Sequence, residues 1–485
     1  MSDITENTET NDINEINKIN NVSTNNFEKQ KSHQEINDIL EIYMNHELTS
    51  GSVFFKPNGT KIWRALENYI KSEYKKRGFC EVITPRLVNC KLYKKSGHFD
   101  NYEENMFCVE IKPNQTTQPQ PTQTIQLTQS NQSDQSNQSD QSNQSNQSNQ
   151  SNQIDQSNNL EHFESNLFVL PPMNCPGHCL LYGETLRSYK NLPIRLADFG
   201  RLHRNETSGA IRGLNRLRGF TQDDAHIFCR YDQISEEIKN CMKFLDDVYN
   251  LFGFNYEVFL STRPDKYMGN IELWIDAEKN LESSLKEMNI PYTINEKDGA
   301  FYGPKIDIML TDSAGRKNQC GTIQLDFQLP QKFDLEYVDY DGKKSTPVMI
   351  HRAIFGSIER MMGIILEHFQ GKLPLWLSPR QIAIIPLANK KEFIDYCQDF
   401  KNILLDCDPR LESIDIFDSA DTFSSRIRDA EIKYYNYIFI VGKKEIETKT
   451  ITYRLINHVR NDIKMEKIEN VCKLVTNSYY SKTLN

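Results

Sequence analysis

No run of about eighteen apolar residues occurs anywhere in this 485-residue sequence, so no segment reads as a membrane span. The first twenty residues, MSDITENTETNDINEINKIN, lack an apolar stretch and are acidic rather than arginine-rich. They resemble neither a secretory leader nor a mitochondrial presequence, which points to the cytosol, with the mitochondrion the less favoured location. Eleven cysteines are scattered without a regular framework, which excludes a disulfide-stapled scaffold and suits reduced thiols. An excess of positive charge is also missing: 57 basic against 66 acidic residues leave a net charge of −9. Whole-chain charge therefore does not advertise a nucleic-acid binder, but net charge hides local patches. Between Arg187 and Arg218 there are eight Lys or Arg and only two acidic residues, Asp198 and Glu206. A surface that meets polyphosphate needs such a local excess, and a solvated basic face is the plainer alternative for any one such run.

The length exceeds what one hydrophobic core usually supports, so two folded regions with tails are expected. Residues 1–31 are rich in Asn, Glu and Thr and read as a disordered tail. Residues 114–160 are almost wholly Gln, Asn, Ser, Thr and Pro with a repeated QSNQSD unit, a disordered polar insertion of the kind a surface loop or hairpin tip can extrude. Around it, residues 32–376 and 377–485 differ in texture. In TKIWRALENYIKSEYKKR (60–77), Ile62, Leu66, Tyr69 and Ile70 share one face of an amphipathic helix. Gly78 stops it, and FCEVITPRL reads as a strand ended by Pro85. PIRLADFGRLHRNE and RGFTQDDAHIFC read as the two strands of a long-looped antiparallel hairpin, and 350–369 has helical apolar spacing. Past Pro379 the short apolar runs QIAIIPL and YNYIFIVG, separated by helical stretches at 387–406 and 424–434, describe a small α/β domain with a mixed or parallel sheet.

Three segments carry chemistry. In HRNETSGAIRGLNRLRGFTQDDAH, Arg204 and Glu206 are two apart on a strand and share a face, Arg216 and Arg218 return on the other strand, and Phe220 follows. Guanidinium forks, a carboxylate acceptor and a stacking ring are what a purine nucleotide uses, although a salt-bridged exposed hairpin explains the Arg/Glu pair alone. At 351–363, Gly356, Glu359, Arg360 and Gly363 punctuate a helix, where Arg360 could clamp a phosphate. In PPMNCPGH (171–178), Cys175 is expected in a fixed loop rather than a core. No CxxC or HxxxH spacing accompanies it, so local pattern does not identify zinc.

Together these segments resemble the class II aminoacyl-tRNA synthetases and, more narrowly, the threonyl-tRNA synthetase family. Motif 1 is similar to the helix and strand ending in Pro85. Motif 2 is similar to RLADFGRLHRNETSGAIRGLNRLRGFTQDDAH, and motif 3 to MIHRAIFGSIERMMGIILE. GHFDNYEENMF, PMNCPGH, FYGPKIDI and QCGTIQLDFQLP add to the resemblance, which runs from about Ser32 to about Glu447 apart from the polar insertion. The fold this implies is an α+β class II catalytic domain, an antiparallel sheet flanked by helices, followed by a small α/β anticodon-binding domain at 377–485.

The resemblance implies a threonine–tRNA ligase that uses ATP, L-threonine and tRNA(Thr). It implies one zinc ion per subunit held by Cys175, His226 and His351, with an open position that takes the substrate's amino group and hydroxyl. Asp224 would accept a hydrogen bond from the threonine side chain, with Gln222 and Tyr302 completing the pocket. Arg204 would hold the α-phosphate and the threonine carboxylate, Arg216 and Arg360 the γ-phosphate, Glu206 the adenine amino group and Phe220 the adenine face. Gln319 and Gln324 would bind the ribose or metal-linked phosphates, and Mg²⁺ would accompany ATP. His98, in GHFDNY, is the candidate helper of the terminal ribose hydroxyl during transfer. Motif 1 implies a homodimer. Only about fifty residues precede the catalytic region, so no editing domain is expected within the chain. The other reading is a catalytically inactive paralogue that binds tRNA or threonine; such relatives lose a motif arginine or a metal ligand, and here all of these residues stand in place.

Overall fold

Residues 30–111, 166–311, 315–455 and 463–482 are described by the computed structural model. The tail residues 1–29 and the insertion 114–160 lie outside them. Among the described residues no helix is long and apolar enough to cross a membrane.

Helix α1 (His33–Leu40) opens on a capping box, in which Ser32 and Glu35 satisfy each other's backbone N–H groups. Helix α2 (Pro57–Lys76) begins with Pro at its first position and buries Ile62, Leu66, Tyr69, Ile70 and Tyr74 along one stripe, as the 3.6-residue period requires. Gly78, at φ +76°, turns the chain into β1 (Cys80–Glu81). The strand is shorter than FCEVITPRL promises: Thr84 gives its N–H and hydroxyl to the Asp198 carboxylate at 2.9 and 2.7 Å, and Pro85 has no N–H to pair.

The Cys175 segment is a helix, α3 (Cys175–Gly183), not a loop, and the cysteine is buried at its first position. Each expected hairpin strand divides in two. The outer pieces, Arg201–His203 and Gly219–Thr221, pair into a two-stranded ribbon. The inner pieces, β2 (Ile194–Asp198) and β3 (Asp224–Cys229), join the main sheet. Side-chain capture of backbone donors makes both breaks. Asp198 accepts the Gly200 N–H at 2.8 Å, and Asp223 accepts the N–H groups of Ile354 and Phe355 at 2.7 and 3.1 Å.

After α4 (Ile234–Phe252) come β4 (Tyr256–Ser261), α5 (Ile271–Glu287), β5 (Tyr292–Asn295), β6 (Lys305–Thr311), β7 (Lys317–Asp326) and β8 (Val348–Ala353). The eight strands lie in the order β5-β4-β6-β7-β8-β3-β2-β1, antiparallel except for the pairs β1/β2 and β4/β5. The stretch 350–369 is therefore strand and then helix. Its first residues complete β8, Gly356 turns at φ +76°, and Ser357 caps α6 (Ile358–His368) by accepting the Arg360 N–H at 3.1 Å. A side chain at Gly356 would stand 2.7 Å from the Cys320 carbonyl, which keeps this turn glycine.

Alternation along β3 and β8 separates two faces. Ala225, Ile227, Ile350 and Ile354 pack with α2, α4 and α6 in the largest apolar cluster. Asp224, His226 and His351 point the other way.

Beyond Pro379, β9 (Ile382–Pro386), β10 (Ile414–Ile416), β11 (Tyr437–Val441), β12 (Thr450–Leu455) and β13 (Lys464–Lys467) form a mixed sheet in the order β10-β9-β11-β12-β13. Helices Lys391–Cys407 and Ile468–Ser481 cover one face and Phe423–Ile432 the other.

Candidate functional site

The register of the main sheet builds the site. His226 on β3 stands directly opposite His351 on β8, and His351 stands opposite Gln324 on β7. Cross-strand neighbours on one face are about 5 Å apart, so three chain segments converge without any sequence proximity. Helix α3 brings Cys175 to the same point. One donor atom from each of Cys175, His226 and His351 lies within 4.8 Å of the others, all three side chains buried. A thiolate and two imidazoles is a zinc donor set, and this spacing suits a tetrahedral ion with one position left for a ligand. Burial holds the His226 imidazolium far out of reach, leaving the neutral ring a ligand needs.

Around these groups is a cavity of about 390 Å³. Thirteen of the fourteen residues expected at the site line it: Cys175, Arg204, Glu206, Arg216, Phe220, Gln222, Asp224, His226, Tyr302, Gln319, Gln324, His351 and Arg360. The exception is His98. Its ring is fully buried behind the cysteine, with Nε2 3.8 Å from the Cys175 sulfur and Nδ1 2.8 Å from the Ser96 hydroxyl oxygen. Desolvation pushes its pKa down to about 3.

The two ends of the cavity differ chemically. At the end near the cysteine and histidines, Asp224 is held by Asn174, whose backbone N–H and side-chain amide donate to Oδ2 at 3.2 and 3.1 Å. Burial raises this carboxyl to about 6. Tyr302 donates its hydroxyl proton to Gln324 at 2.6 Å, so these two polar groups present one fixed edge. At the other end the ribbon supplies cations. The Arg204 guanidinium lies 5.1 Å from the centre of the Phe220 ring, and Arg216 pairs with Glu206 at 2.9 Å. Arg360, one turn into α6, is clamped by carbonyl oxygens, with Nε donating to Asn215 at 2.8 Å and Nη1 to Gln319 at 2.6 Å. Glu359 faces away from it and accepts the Thr221 N–H at 2.9 Å, which anchors the ribbon to α6.

Several contributors lie inside FYGPKIDI and QCGTIQLDFQLP, where spacing alone assigns no role to any one residue. Lys305 and Thr322 line the cavity between its two ends. Asp326 accepts a hydrogen bond from His351 Nε2 at 2.8 Å, which turns that ring's Nδ1 toward His226. Two apart on β6, Lys305 and Asp307 share a face, which is visible only once the strand is assigned.

Residues 159–369 match the family described as tRNA synthetase class II core domain (G, H, P, S and T), and residues 381–474 match the one described as anticodon binding domain. A protein of Encephalitozoon cuniculi named "Probable threonine--tRNA ligase, cytoplasmic" is 45% identical over 433 residues, covering 89% of this chain and 58% of that protein. One of Arabidopsis thaliana named "Threonine--tRNA ligase, mitochondrial 1" is 41% identical over 437 residues, covering 90% of this chain and 54% of the relative. The chain thus spans about half the length of the curated relatives it matches. The solved structure titled as the RNA binding domain of threonyl-tRNA synthetase from Cryptosporidium parvum superposes with a TM-score of 0.78 at 36% identity, covering 94% of this chain and 99% of that one. With that relative matched over nearly its whole length, and with the class II core and its cavity in place, the chain belongs to the threonyl-tRNA synthetase family.

Proposed function

We propose that this protein is a threonine–tRNA ligase. It joins L-threonine to ATP, forming threonyl-adenylate and diphosphate, and then passes the threonyl group to the 3′ end of tRNA(Thr). The observation that carries this reading is one cavity with a Cys/His/His donor set at one end and three arginines at the other. In the first step a threonine carboxylate oxygen attacks the α-phosphorus and the bond to diphosphate breaks. Negative charge develops on the phosphate oxygens, so fixed cations rather than a strong base are required.

Arg204 is the group that bridges the carboxylate and the α-phosphate, with Arg216 and Arg360 at the γ-phosphate and Mg²⁺ accompanying ATP. Phe220 and Glu206 take the adenine face and amino group, and Gln319 and Gln324 the ribose or the metal-linked phosphates. Cys175, His226 and His351 would hold zinc, which supplies a Lewis-acidic position for the substrate's amino group and hydroxyl. Asp224, Gln222 and Tyr302 surround the side chain. Valine, an isostere without a hydroxyl, would offer zinc no side-chain ligand and Asp224 no donor beyond Asn174. Serine loses only a methyl, a difference of about 1–3 kcal/mol. His98 is the candidate for the transfer step; because its ring is closed off behind Cys175, that role requires the Gly97–Tyr102 turn to open.

Residues 32–376 act as the catalytic region and 377–485 as the anticodon-binding region, with the tail 1–31 and the insertion 114–160 outside the chemistry. A homodimer is supported by an apolar hollow lined by Ile83, Pro85, Leu180 and Leu181, whose isoleucine is 84% exposed in the single chain. The working location is the cytoplasm.

ATP–diphosphate exchange with threonine, serine and valine in parallel, together with metal analysis, tests this. The reading expects exchange with threonine, weaker exchange with serine, none with valine and one zinc per chain. A folded, zinc-bearing protein that exchanges none of the three would instead be an inactive tRNA- or threonine-binding paralogue.

A further inference from the structure

His178 follows Cys175 by three residues on α3, so the helix that delivers one donor to the Cys/His/His cluster also sets a fourth buried side chain beside it. The His178 ring is 0% exposed, and its Nδ1 lies 2.7 Å from Nδ1 of His226 with the two rings nearly perpendicular at 88°. On its other side, His226 Nε2 lies 3.0 Å from His351 Nδ1, and His351 Nε2 lies 2.8 Å from the Asp326 carboxylate. Four groups therefore form one chain: His178, His226, His351, Asp326.

Two neutral imidazole nitrogens at 2.7 Å share one proton, and the choice of owner fixes the rest of the ring. If His226 carries it on Nδ1, its Nε2 and the His351 Nδ1 are two bare lone pairs 3.0 Å apart, an arrangement that needs a cation between them and the Asp224 carboxylate 3.8 Å away. His178 then keeps its own proton on Nε2, which is buried without a partner among the described residues. If His178 carries it, His226 must hold its own proton on Nε2, and that N–H points at His351 Nδ1 and blocks both as ligands. Asp326 already settles the outer nitrogen of His351, because a carboxylate can only accept from Nε2. Among the described residues His226 Nδ1 meets no carboxylate or carbonyl oxygen, and His178 fills that place.

We infer that His178 is a positioning residue for the second histidine ligand. Its Nδ1 accepts the Nδ1 proton of His226 and holds the tautomer and ring plane that aim the His226 Nε2 lone pair at the cation. Outer partners of this kind typically change metal affinity by about 10–100-fold. The inference rests on the zinc reading of the cluster.

The test compares the full chain with His178→Leu, which keeps bulk but has no acceptor, and His178→Asn, whose amide oxygen can stand near the lost Nδ1. Zinc affinity is read by competition with a chromophoric chelator, and Co²⁺ substitution reports ligand geometry through its visible spectrum. H178L should bind zinc about 10–100-fold more weakly and change the Co²⁺ spectrum, while H178N should recover most of the affinity. Wild-type affinity in H178L, or equal losses in H178L and H178N, overturns the inference. If H178L does not fold, ¹⁵N-histidine NMR of the zinc-bound wild type decides: a coupling across a hydrogen bond from the His226 Nδ1–H to the His178 Nδ1 supports the inference, and a proton on His178 Nδ1 overturns it. A wild type that takes up no zinc overturns the zinc reading itself, whereas zinc-binding wild type with indifferent variants overturns only the role of His178.

Discussion

The two sheets of this protein treat their buried positions in opposite ways. In the five-stranded sheet both faces are apolar: Ile382, Ile384, Phe439 and Val441 pack on one side, and Ala383, Ile385 and Ile438 on the other. In the eight-stranded sheet one face packs in the largest apolar cluster around the buried Arg352 guanidinium, and the second face is divided, with Phe228 and Met349 in a smaller apolar cluster. The rest of that second face turns Asp224, His226, His351 and Gln324 into a cavity, with Asp326 and His178 buried behind them. Burying polar groups costs free energy unless each finds a partner, and nearly every one here does. The larger apolar cluster against α2, α4 and α6 supplies the stability that this polar face lacks. Such a division lets one region keep pre-oriented charges for chemistry while the other remains a plain scaffold that presents a surface.

The largest effect should separate the faces by activity. Arg204→Ala is expected to lower threonine-dependent ATP–diphosphate exchange by about 10³-fold or more while leaving the urea midpoint nearly unchanged, because the guanidinium lines the cavity rather than the core. An equally large fall in stability would show that the arginine is structural.

Phe439→Ala addresses the scaffold. The ring is fully buried and lies 5.2 Å from Phe400 and 5.9 Å from Tyr453, so its loss should cost about 3–5 kcal/mol in denaturant unfolding of the C-terminal region. Exchange per folded molecule should persist. Its loss in step with that transition would break the comparison.

Glu359 probes the cost of buried charge. Burial raises its carboxyl to about 7 from an ordinary 4.5, so the folded chain binds a proton more tightly than the unfolded one. Stability from this group is then greatest below pH 4.5 and is lost as pH rises toward 7, by about 3 kcal/mol over the shift. Glu359→Gln should lack that loss, matching wild type near pH 4.5 and exceeding it at pH 8 in melts. Parallel pH profiles for the two proteins would remove buried ionisation as the cause.

The smallest effect falls on α1, which touches both regions: His33 bonds Glu367 on α6 at 2.8 Å, and Arg380 before β9 pairs with Glu41 at 2.7 Å. Ser32→Ala removes the cap and should cost about 1 kcal/mol, read as a lower midpoint. Were it to bring the two unfolding transitions apart, the regions would owe their coupling to this helix.

Much of the site could be read in order along the chain. Arg204, Glu206 and Phe220 announce themselves by spacing on a hairpin, and Cys175, His226 and His351 by the motifs that hold them. What misled was local pattern. Ile350, Ile354, Ile358 and Ile365 keep a helical period across a segment whose first four residues are strand, because β8 is buried on both faces and needs no polar alternation. Cys175 has a proline and a glycine just after it, which suggest a loop, yet proline near a helix start is favourable. His98 has a plausible motif position but is enclosed, a matter of packing that spacing does not report.

The family, the amphipathic helix over 60–76 and most cavity residues are legible along the chain, because helical period and contiguous motifs are local properties. That His226 faces His351 across 125 positions of sequence, that Asp326 and His178 stand behind them, and that His98 is buried behind Cys175 are facts of the assembled fold. Those facts depend on strand register and on which helix packs where, and both are settled by long-range burial rather than by neighbours along the chain.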